Sequence, residues 1–262
     1  MRSNRWINVF ALAVMGSAVS PICFGSTTTL LYDGSAGGTP QSQGWLIYAY
    51  NPLETAPTTT TAGGATTLDT TSNYDTMGGY SNTNPISLDF VNSSFPTLNP
   101  ATGFTVSFDL QINSESHTID STVNSNRAGF SVIVLGDDSK GIELGFWGDD
   151  VWAQTDSPLF THGADVQFNT ESSSHDYALS ILNGVYTLSA DGTAILTGPT
   201  QDYTSDGSPP YTLANYIFVG DDTTEAQASA TLSSLSVTVP EPATALGLVV
   251  LAGAALPRRR RR

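Results

Sequence analysis

Apolar and polar residues alternate along most of this chain, and no part of its body keeps an apolar period of 3.6 residues. Residues 104–112 read Phe-Thr-Val-Ser-Phe-Asp-Leu-Gln-Ile, with every second residue apolar. This alternation is typical of a β-strand that has one face on a core and the other toward water. Residues 127–135 and 141–147 continue the β pattern, so the sequence predicts a domain that is nearly all β.

Two short turns predict a three-stranded antiparallel meander. The dipeptides Asn183-Gly184 and Asp191-Gly192 favour type I′ hairpin turns. The first turn would place Leu179 opposite Leu188, and the second would place Leu188 opposite Ile195. Both registers set apolar residues against apolar residues, which supports the assignment.

The remaining pattern indicates the fold class. A last strand is predicted from Ala228 to Val239, with a bulge near Ser233-Ser234, where the alternation changes phase. Roughly a dozen strands fit a two-sheet antiparallel sandwich, a jelly roll of the concanavalin A-like kind. Residues 51–67 and 78–85 are rich in Thr, Gly and Pro, and predict long loops or a decorated sheet edge. No linker divides residues 26–239, so they are expected to form one domain.

The charge of the body is strongly one-sided. Between residues 26 and 239 there are 23 acidic residues against two basic ones, Arg127 and Lys140, a net charge of −21 with histidine neutral. Such a polyanion repels nucleic acid and anionic lipid, so no nucleic-acid partner is expected. The charge suits solubility in salt or the capture of divalent cations. Cys23 is the single cysteine and precedes the body, which excludes disulfides and thiol chemistry there.

The amino-terminal segment has the three parts of a secretory signal peptide. Arg2 and Arg5 precede an apolar stretch from Val9 to Val19, and small residues follow. Residues 1–25 are therefore predicted to be a signal peptide that is cleaved after Gly25.

The carboxyl-terminal segment combines a short motif, an apolar stretch and a basic cluster. Pro240, Glu241 and Pro242 precede the fourteen residues Ala243 to Leu256. The chain ends on five arginines: Arg258, Arg259, Arg260, Arg261 and Arg262. A helix of this length would span about 21 Å, which is short of the hydrocarbon core of about 30 Å. By the positive-inside rule, the arginines would lie on the cytoplasmic side of the membrane. A plain membrane anchor remains the alternative to a sorting signal.

This tail resembles the PEP-CTERM sorting signal. The resemblance implies that residues 240–262 form a sorting tail with a short hydrophobic transmembrane helix. It also implies that an exosortase, a membrane-embedded transpeptidase-like cysteine enzyme, recognises and cleaves near the Pro-Glu-Pro motif. The protein would then lie in the inner membrane during sorting, and afterwards at the cell surface or in the extracellular matrix.

A second resemblance rests on residues 30–45, 127–147, 151–162 and 219–237 of the body. These segments resemble the choice-of-anchor family of exported bacterial β-domains, and the likeness runs from about Leu30 to Val239. It implies a module that is attached to the envelope through different tails. It implies no particular chemistry.

Three Gly-Asp-Asp tripeptides end at Asp138, Asp150 and Asp222. Glycine and aspartate favour turns for backbone reasons alone. The alternative is a Ca²⁺ site, because clustered carboxylates supply the oxygen ligands that this ion takes. Its predicted ligands are Asp137, Asp138, Asp221 and Asp222.

The sequence predicts that the chain is not an enzyme. Glycosidases of this fold use two carboxylates, whereas the positions beside Glu143 on the same strand face are glycines. No Gly-x-Ser-x-Gly motif occurs. The three histidines, His117, His162 and His175, lack metal-ligand spacing.

A hairpin from Gly141 to Thr155 is the predicted ligand surface. A type II′ turn at Gly148-Asp149 would place Gly145 opposite Trp152, which leaves this ring without a large neighbour. One face would carry the candidate polysaccharide-binding residues Glu143, Trp147, Trp152 and Gln154. Burial of the tryptophans in a core is the alternative. A second functional alternative is a purely structural envelope or matrix component without a soluble ligand.

Overall fold

The computed structural model describes residues 25–50, 53–119 and 121–241. The predicted signal peptide up to residue 24 and the tail from Pro242 onward, including its apolar helix and arginines, lie outside the described residues. Helical structure within these ranges is limited to three 3-10 turns, at Gly34–Ala36, Pro40–Gln43 and Tyr203–Asp206. A membrane-crossing helix is not found among the described residues. The predicted all-β, two-sheet antiparallel sandwich is confirmed.

Sheet A contains eight of the described strands, all paired antiparallel. They are β1 (Ser26–Asp33), β3 (Thr58–Ala62), β4 (Ala65–Asp69), β6 (Phe104–Ser116), β13 (His175–Leu182), β14 (Val185–Ala190), β15 (Thr193–Pro199) and β17 (Gln227–Pro240). The path through the sheet runs β15-β14-β13-β6-β17-β4-β3, and β1 pairs with the second half of β17 on the same edge as β4.

Sheet B contains seven of the described strands. They are β2 (Ile47–Ala49), β5 (Gly78–Ser81), β9 (Ser131–Leu135), β10 (Gly141–Phe146), β11 (Asp150–Asp156), β12 (Leu159–Gln167) and β16 (Tyr216–Asp221). Their order in the sheet is β12-β11-β10-β9-β16-β5-β2. A separate small hairpin joins β7 (Thr118–Ile119) to β8 (Thr122–Val123).

The predicted meander is present, with one register difference. Leu179 lies opposite Leu188, as expected. All four turn residues have positive φ, as type I′ turns require. Leu188, however, faces Leu196 rather than Ile195, because Ile195 is the extra residue of a bulge in β15. The bulge predicted in the last strand is confirmed, since β17 shifts register between Leu232 and Ser234.

The Thr- and Gly-rich segments form more strand than the loop prediction allowed. Residues 58–69 fold into the β3–β4 hairpin, and β3 is the edge strand of sheet A, which agrees with a decorated edge. Residues 78–81 were wrongly predicted as loop, because they form β5 between β16 and β2. Glycine is required there, since a Cβ on Gly79 would lie 2.3 Å from the carbonyl oxygen of Val219.

The main core lies between the two sheets. The inner face of β6 contributes Phe108. Its ring packs edge-on against Phe146 of β10, with ring centroids 6.0 Å apart, and stacks on Tyr177, with centroids 5.2 Å apart. Each large apolar side chain that is fully buried in this way stabilises the fold by about 1.5–3 kcal/mol.

Sheet B is also covered on its outer face. Ile133, Tyr216 and Phe218 point away from the main core and form a second cluster with Tyr203, and Tyr211 packs against it. Both Tyr203 and Tyr211 belong to the connection between β15 and β16. This connection therefore folds over the outer face of sheet B and buries it.

Candidate functional site

Glu143 lies in the middle of the outer face of sheet B. Its neighbours along β10, Ile142 and Leu144, are in the main core, so the strand alternation turns Glu143 to the opposite face. Across the sheet it faces Ile133, which in turn faces Phe218. The residue is only 1% exposed. A buried carboxyl group is costly unless it is neutral or paired.

Asp222 reaches Glu143 from the end of β16. The Tyr211 hydroxyl lies 2.6 Å from Oε2 of Glu143 and 3.3 Å from Oδ2 of Asp222. These two carboxyl oxygens are therefore less than about 6 Å apart. We call Glu143 and Asp222 the carboxyl pair.

The environment of the carboxyl pair favours protonation. Burial raises the pKa of Glu143 well above its usual range, and the nearby charge of Asp222 raises it further. Burial also raises the pKa of Asp222, although a hydrogen bond from Ser131 and the charge of Arg127 oppose this change. Oε1 of Glu143 has no hydrogen-bond partner among the described residues. Burial thus disfavours the charged form of both groups, so the carboxyl pair holds a proton more readily than exposed carboxyl groups do.

Tyr203 positions the backbone of Glu143. Its hydroxyl accepts a hydrogen bond from the backbone N–H of Glu143 at 3.2 Å and donates one to the carbonyl of Gln154 at 2.8 Å. The β10–β11 ladder ends at the Leu144–Ala153 pair, so this hydroxyl bridges the two strands where their direct pairing stops.

A pocket of about 580 Å³ opens beside the carboxyl pair. This volume lies within the range of about 300–1,000 Å³ that is usual for ligand pockets. Asp222 and a set of aromatic side chains line it. The aromatic residues are Tyr48, Tyr50, Tyr211, Tyr216 and Phe218. We call it the aromatic pocket.

The predicted hairpin surface is present but covered. Gly145 lies opposite Trp152, and a Cβ on Gly145 would come within 2.5 Å of the Trp152 ring, so the ring lies over this glycine. Glu143, Trp152 and Gln154 share the outer face but are 1%, 0% and 3% exposed. These three side chains are therefore buried and do not form an open ligand surface.

Aromatic stacking and a nearby loop cover the tryptophans. His162 stacks on Trp152, with ring centroids 4.5 Å apart, and His117 stacks on Trp147 at 4.1 Å. The indole N–H of Trp147 donates to the carbonyl of Arg127 at 2.8 Å, which ties the loop before β9 to this face. Trp147 stays partly exposed.

The predicted four-aspartate calcium site is not assembled. Asp137 and Asp138 follow β9, next to the start of β16, whereas Asp221 ends β16. These positions lie about 16 Å apart along the strand, because each residue rises about 3.3 Å. The Asp221 carboxyl group instead accepts hydrogen bonds from the Thr70 hydroxyl at 2.7 Å and the Thr223 N–H at 3.0 Å. The four carboxylates therefore cannot share one ion.

Tyr211 and the pairing of Asp222 with Glu143 were missed in the sequence. Tyr211 is 68 residues from Glu143 and lies in an irregular connection, where alternation gives no signal. The Gly-Asp-Asp tripeptide at 220–222 marked Asp222 as unusual but not its partner.

Comparison with known proteins identifies a shared fold and no family. No family model matches the chain, and no curated protein matches it. A solved carbohydrate esterase from the Shiga toxin-encoding bacteriophage phi24B is similar at 15% identity and a TM-score of 0.55, over 83% of this chain and 100% of that one. A Bacillus licheniformis beta-glucanase has 12% identity and a TM-score of 0.45, over 83% and 99% of the two chains. A laminarinase from Rhodothermus marinus has 11% identity and a TM-score of 0.46, over 76% of this chain and 92% of that one.

The prediction that the chain is not an enzyme is contradicted. The solved carbohydrate esterase shares this fold at a TM-score of 0.55, so the jelly roll of this chain is one that an enzyme uses. The prediction also rested on the lack of a second carboxyl group beside Glu143. The structure provides Asp222 from a distant strand.

Proposed function

We propose that this chain is an exported, carbohydrate-active protein that binds an extracellular polysaccharide in the aromatic pocket. The pocket itself is the observation that carries the proposal, because five aromatic side chains and Asp222 are among the residues that line it. Aromatic rings offer flat apolar surface to the C–H faces of sugars, and carboxylates accept hydrogen bonds from sugar hydroxyls. The similarity to a carbohydrate esterase supports this choice of ligand class.

Tyr50 is the residue with which to test the pocket. It lines the pocket, is 41% exposed and lies 5.5 Å from the ring of Tyr48. Tyr74 is equally exposed at 41% and does not line the pocket, so it is a matched control.

The experiment measures polysaccharide binding by the full chain and two variants. Tyr50→Ala should weaken binding at least tenfold, whereas Tyr74→Ala should bind like the wild type, with little change in Tm for either variant. Equal binding by Tyr50→Ala would reject the pocket. If no polysaccharide of the host matrix binds at all, the purely structural role is favoured instead.

Glycoside cleavage by the carboxyl pair is the second candidate function. The two carboxyl oxygens that contact Tyr211 are less than about 6 Å apart, which is shorter than the separation of about 6.5–9.5 Å found in inverting glycosidases and favours a retaining mechanism. Glu143 is 1% exposed and Tyr211 lies against its Oε2, so this role requires the Tyr211 side chain to move away when substrate binds. Protonated Glu143 would then give its proton to the departing glycosidic oxygen while the Asp222 carboxylate attacks the anomeric carbon. Water would then hydrolyse the glycosyl ester.

Cleavage is tested on any polysaccharide that binds. We expect reducing ends to appear with retained anomeric configuration, and Asp222→Asn to lower the rate at least a hundredfold. Asp137→Asn, at the other end of β16, is the control and should keep the wild-type rate. Inversion of configuration, or equal rates in the wild type and Asp222→Asn, would reject this role for the pair.

Export and sorting of the chain complete the proposal. The Pro-Glu-Pro motif, the apolar segment and the terminal arginines support processing by an exosortase at the inner membrane, followed by release to the cell surface or matrix. Alanine at Pro240, Glu241 and Pro242 should leave uncleaved, membrane-held protein in the native host. The same mature mass and location in the variant and the wild type would reject processing at the motif.

A further inference from the structure

A histidine and two aspartates converge on the outer edge of sheet B, away from the carboxyl pair. They are Asp150 on β11 and His162 and Asp165 on β12. One carboxyl oxygen from each aspartate and one ring nitrogen of His162 all lie within 4.8 Å of one another. We call these three residues the Asp-His-Asp cluster.

A bulge in β12 creates the cluster. Asp165 faces Trp152 and His162 faces Gln154, so three residue steps on β12 match two steps on β11. Without the extra residue, strand alternation would place His162 and Asp165 on opposite faces of the sheet. The bulge turns both toward the face that also carries Asp150.

Asp150 is held with one oxygen unused. The residue is 2% exposed. Its Oδ2 accepts a hydrogen bond from the Gln167 amide at 2.6 Å, and its Oδ1 has no hydrogen-bond partner among the described residues. A buried carboxylate oxygen without a partner is costly, which indicates a ligand that supplies the missing interaction.

His162 is oriented to present a lone pair. Its Nδ1 lies 3.1 Å from the carbonyl oxygen of Ser125. Because a carbonyl oxygen can only accept, Nδ1 must carry the hydrogen, and Nε2 is then free to act as a ligand. The Trp152 ring stacks on the imidazole, and the backbone N–H of His162 donates a hydrogen bond to Oδ1 of Asn126 at 2.9 Å, so the residue is fixed in position. Supporting contacts of this kind orient the ligands of metal sites in proteins.

We propose that the Asp-His-Asp cluster binds one divalent transition-metal ion, with Zn²⁺ as the reference ion. The imidazole nitrogen favours this class over Ca²⁺, which takes oxygen ligands. Two carboxylates balance the charge of the ion, and three protein ligands leave a position for water. Ligands about 2.0–2.2 Å from zinc in a tetrahedron lie roughly 3.5 Å apart, so a small rotation of exposed Asp165 completes the set.

The surroundings of the cluster attract cations. Gln167, the partner of Asp150, also lines an open cleft to which Asp149 and Glu171 contribute carboxylates. This local negative potential would concentrate divalent ions at the entrance to the cluster.

The test measures metal binding by the purified, untagged full chain. After chelation and dialysis, titration with Zn²⁺ should show one site per chain and raise Tm, and Co²⁺ should give a visible absorption band at the same stoichiometry. His162→Gln and Asp165→Asn should each weaken Zn²⁺ binding at least tenfold and abolish the band. His175→Gln is the matched control, because His175 contacts a single carboxylate, Asp191, at 2.7 Å.

Zn²⁺ binding by the wild type and the three variants decides for or against the proposal. Loss of the site in His162→Gln and Asp165→Asn, with the site kept in His175→Gln, supports the proposal. Asp165 is exposed, so Asp165→Asn should fold even if a change at buried Asp150 does not. Equal Zn²⁺ affinity in all four proteins, or no Zn²⁺ bound by the wild type at millimolar concentration, would overturn it.

Discussion

The two sheets of this domain use their outer faces in different ways. In sheet A the strands alternate between buried and more accessible positions, as β6 and β14 do. In sheet B, β9, β10 and β16 are buried at every position. Sheet A thus has one face toward water, whereas sheet B lies between the core and a second layer of loops.

This difference concentrates unsatisfied chemistry on sheet B. Five buried side-chain atoms lack a hydrogen-bond partner in the described part of the chain, and four of them lie on the outer face of β10 and β11. They belong to Glu143, Asp150, Trp152 and Gln154. Polar groups on the outer face of sheet A can bond to water at little cost, whereas the buried ones on β10 and β11 of sheet B cannot. A ligand or ion is therefore best sought on sheet B.

The largest effect is expected for Trp152→Ala. If the outer face of sheet B behaves as a core, removing this ring should cost about 3–5 kcal/mol in the free energy of unfolding, measured with urea. Thr187→Ala, on the outer face of sheet A, is the control and should change it by less than about 0.5 kcal/mol. Similar small losses in both variants would show that the two faces do not differ.

A smaller loss is expected for Gly145→Ala. The added methyl group would meet the Trp152 ring, and overpacking of this kind costs about 1–3 kcal/mol. In a Trp152→Phe background the cost should fall, because the smaller ring leaves room. A double-mutant cycle on the free energy of unfolding measures this coupling, and an unchanged cost would place the strain elsewhere.

A pH effect should distinguish the carboxyl pair from an exposed acid of sheet A. Burial raises the pKa of Glu143 in the folded state above its value in the unfolded chain, so the folded state binds the proton more tightly. The free energy of unfolding should therefore fall as pH rises from the unfolded pKa through the folded pKa. Glu143→Gln should therefore reduce the fall in Tm between pH 5 and pH 8, whereas exposed Asp176→Asn should leave it unchanged. An identical slope in wild type and Glu143→Gln would contradict the assignment.

The smallest effect is expected on sheet A. The hydroxyls of Thr105 and Ser180 lie 3.1 Å apart across β6 and β13, on the outer face. Thr105→Val should change the free energy of unfolding by less than about 0.5 kcal/mol, since water replaces the lost partner. A loss above about 1.5 kcal/mol in a urea titration would mean that this face is also closed to water.

The sequence predicted most strongly where local alternation and turn chemistry act together. The turns at residues 183–184 and 191–192, the bulge in β17 and the pairing of Gly145 with Trp152 all follow from neighbouring residues. It failed at β5, where glycines hide the alternation, and at the one-residue bulge of Ile195. Both depend on contacts with other strands.

By itself the sequence determined the fold class and which residues of each strand share a face, because period-2 alternation is a local property of the chain. The tertiary structure alone decided which faces meet water and which distant groups meet one another. The connection around Tyr211 covers sheet B and joins Glu143 to Asp222, and the bulge in β12 aligns His162 with Asp165. These contacts join residues that are distant in the sequence, and they depend on strand order and on irregular loops. A local pattern of apolar and polar residues therefore cannot predict them.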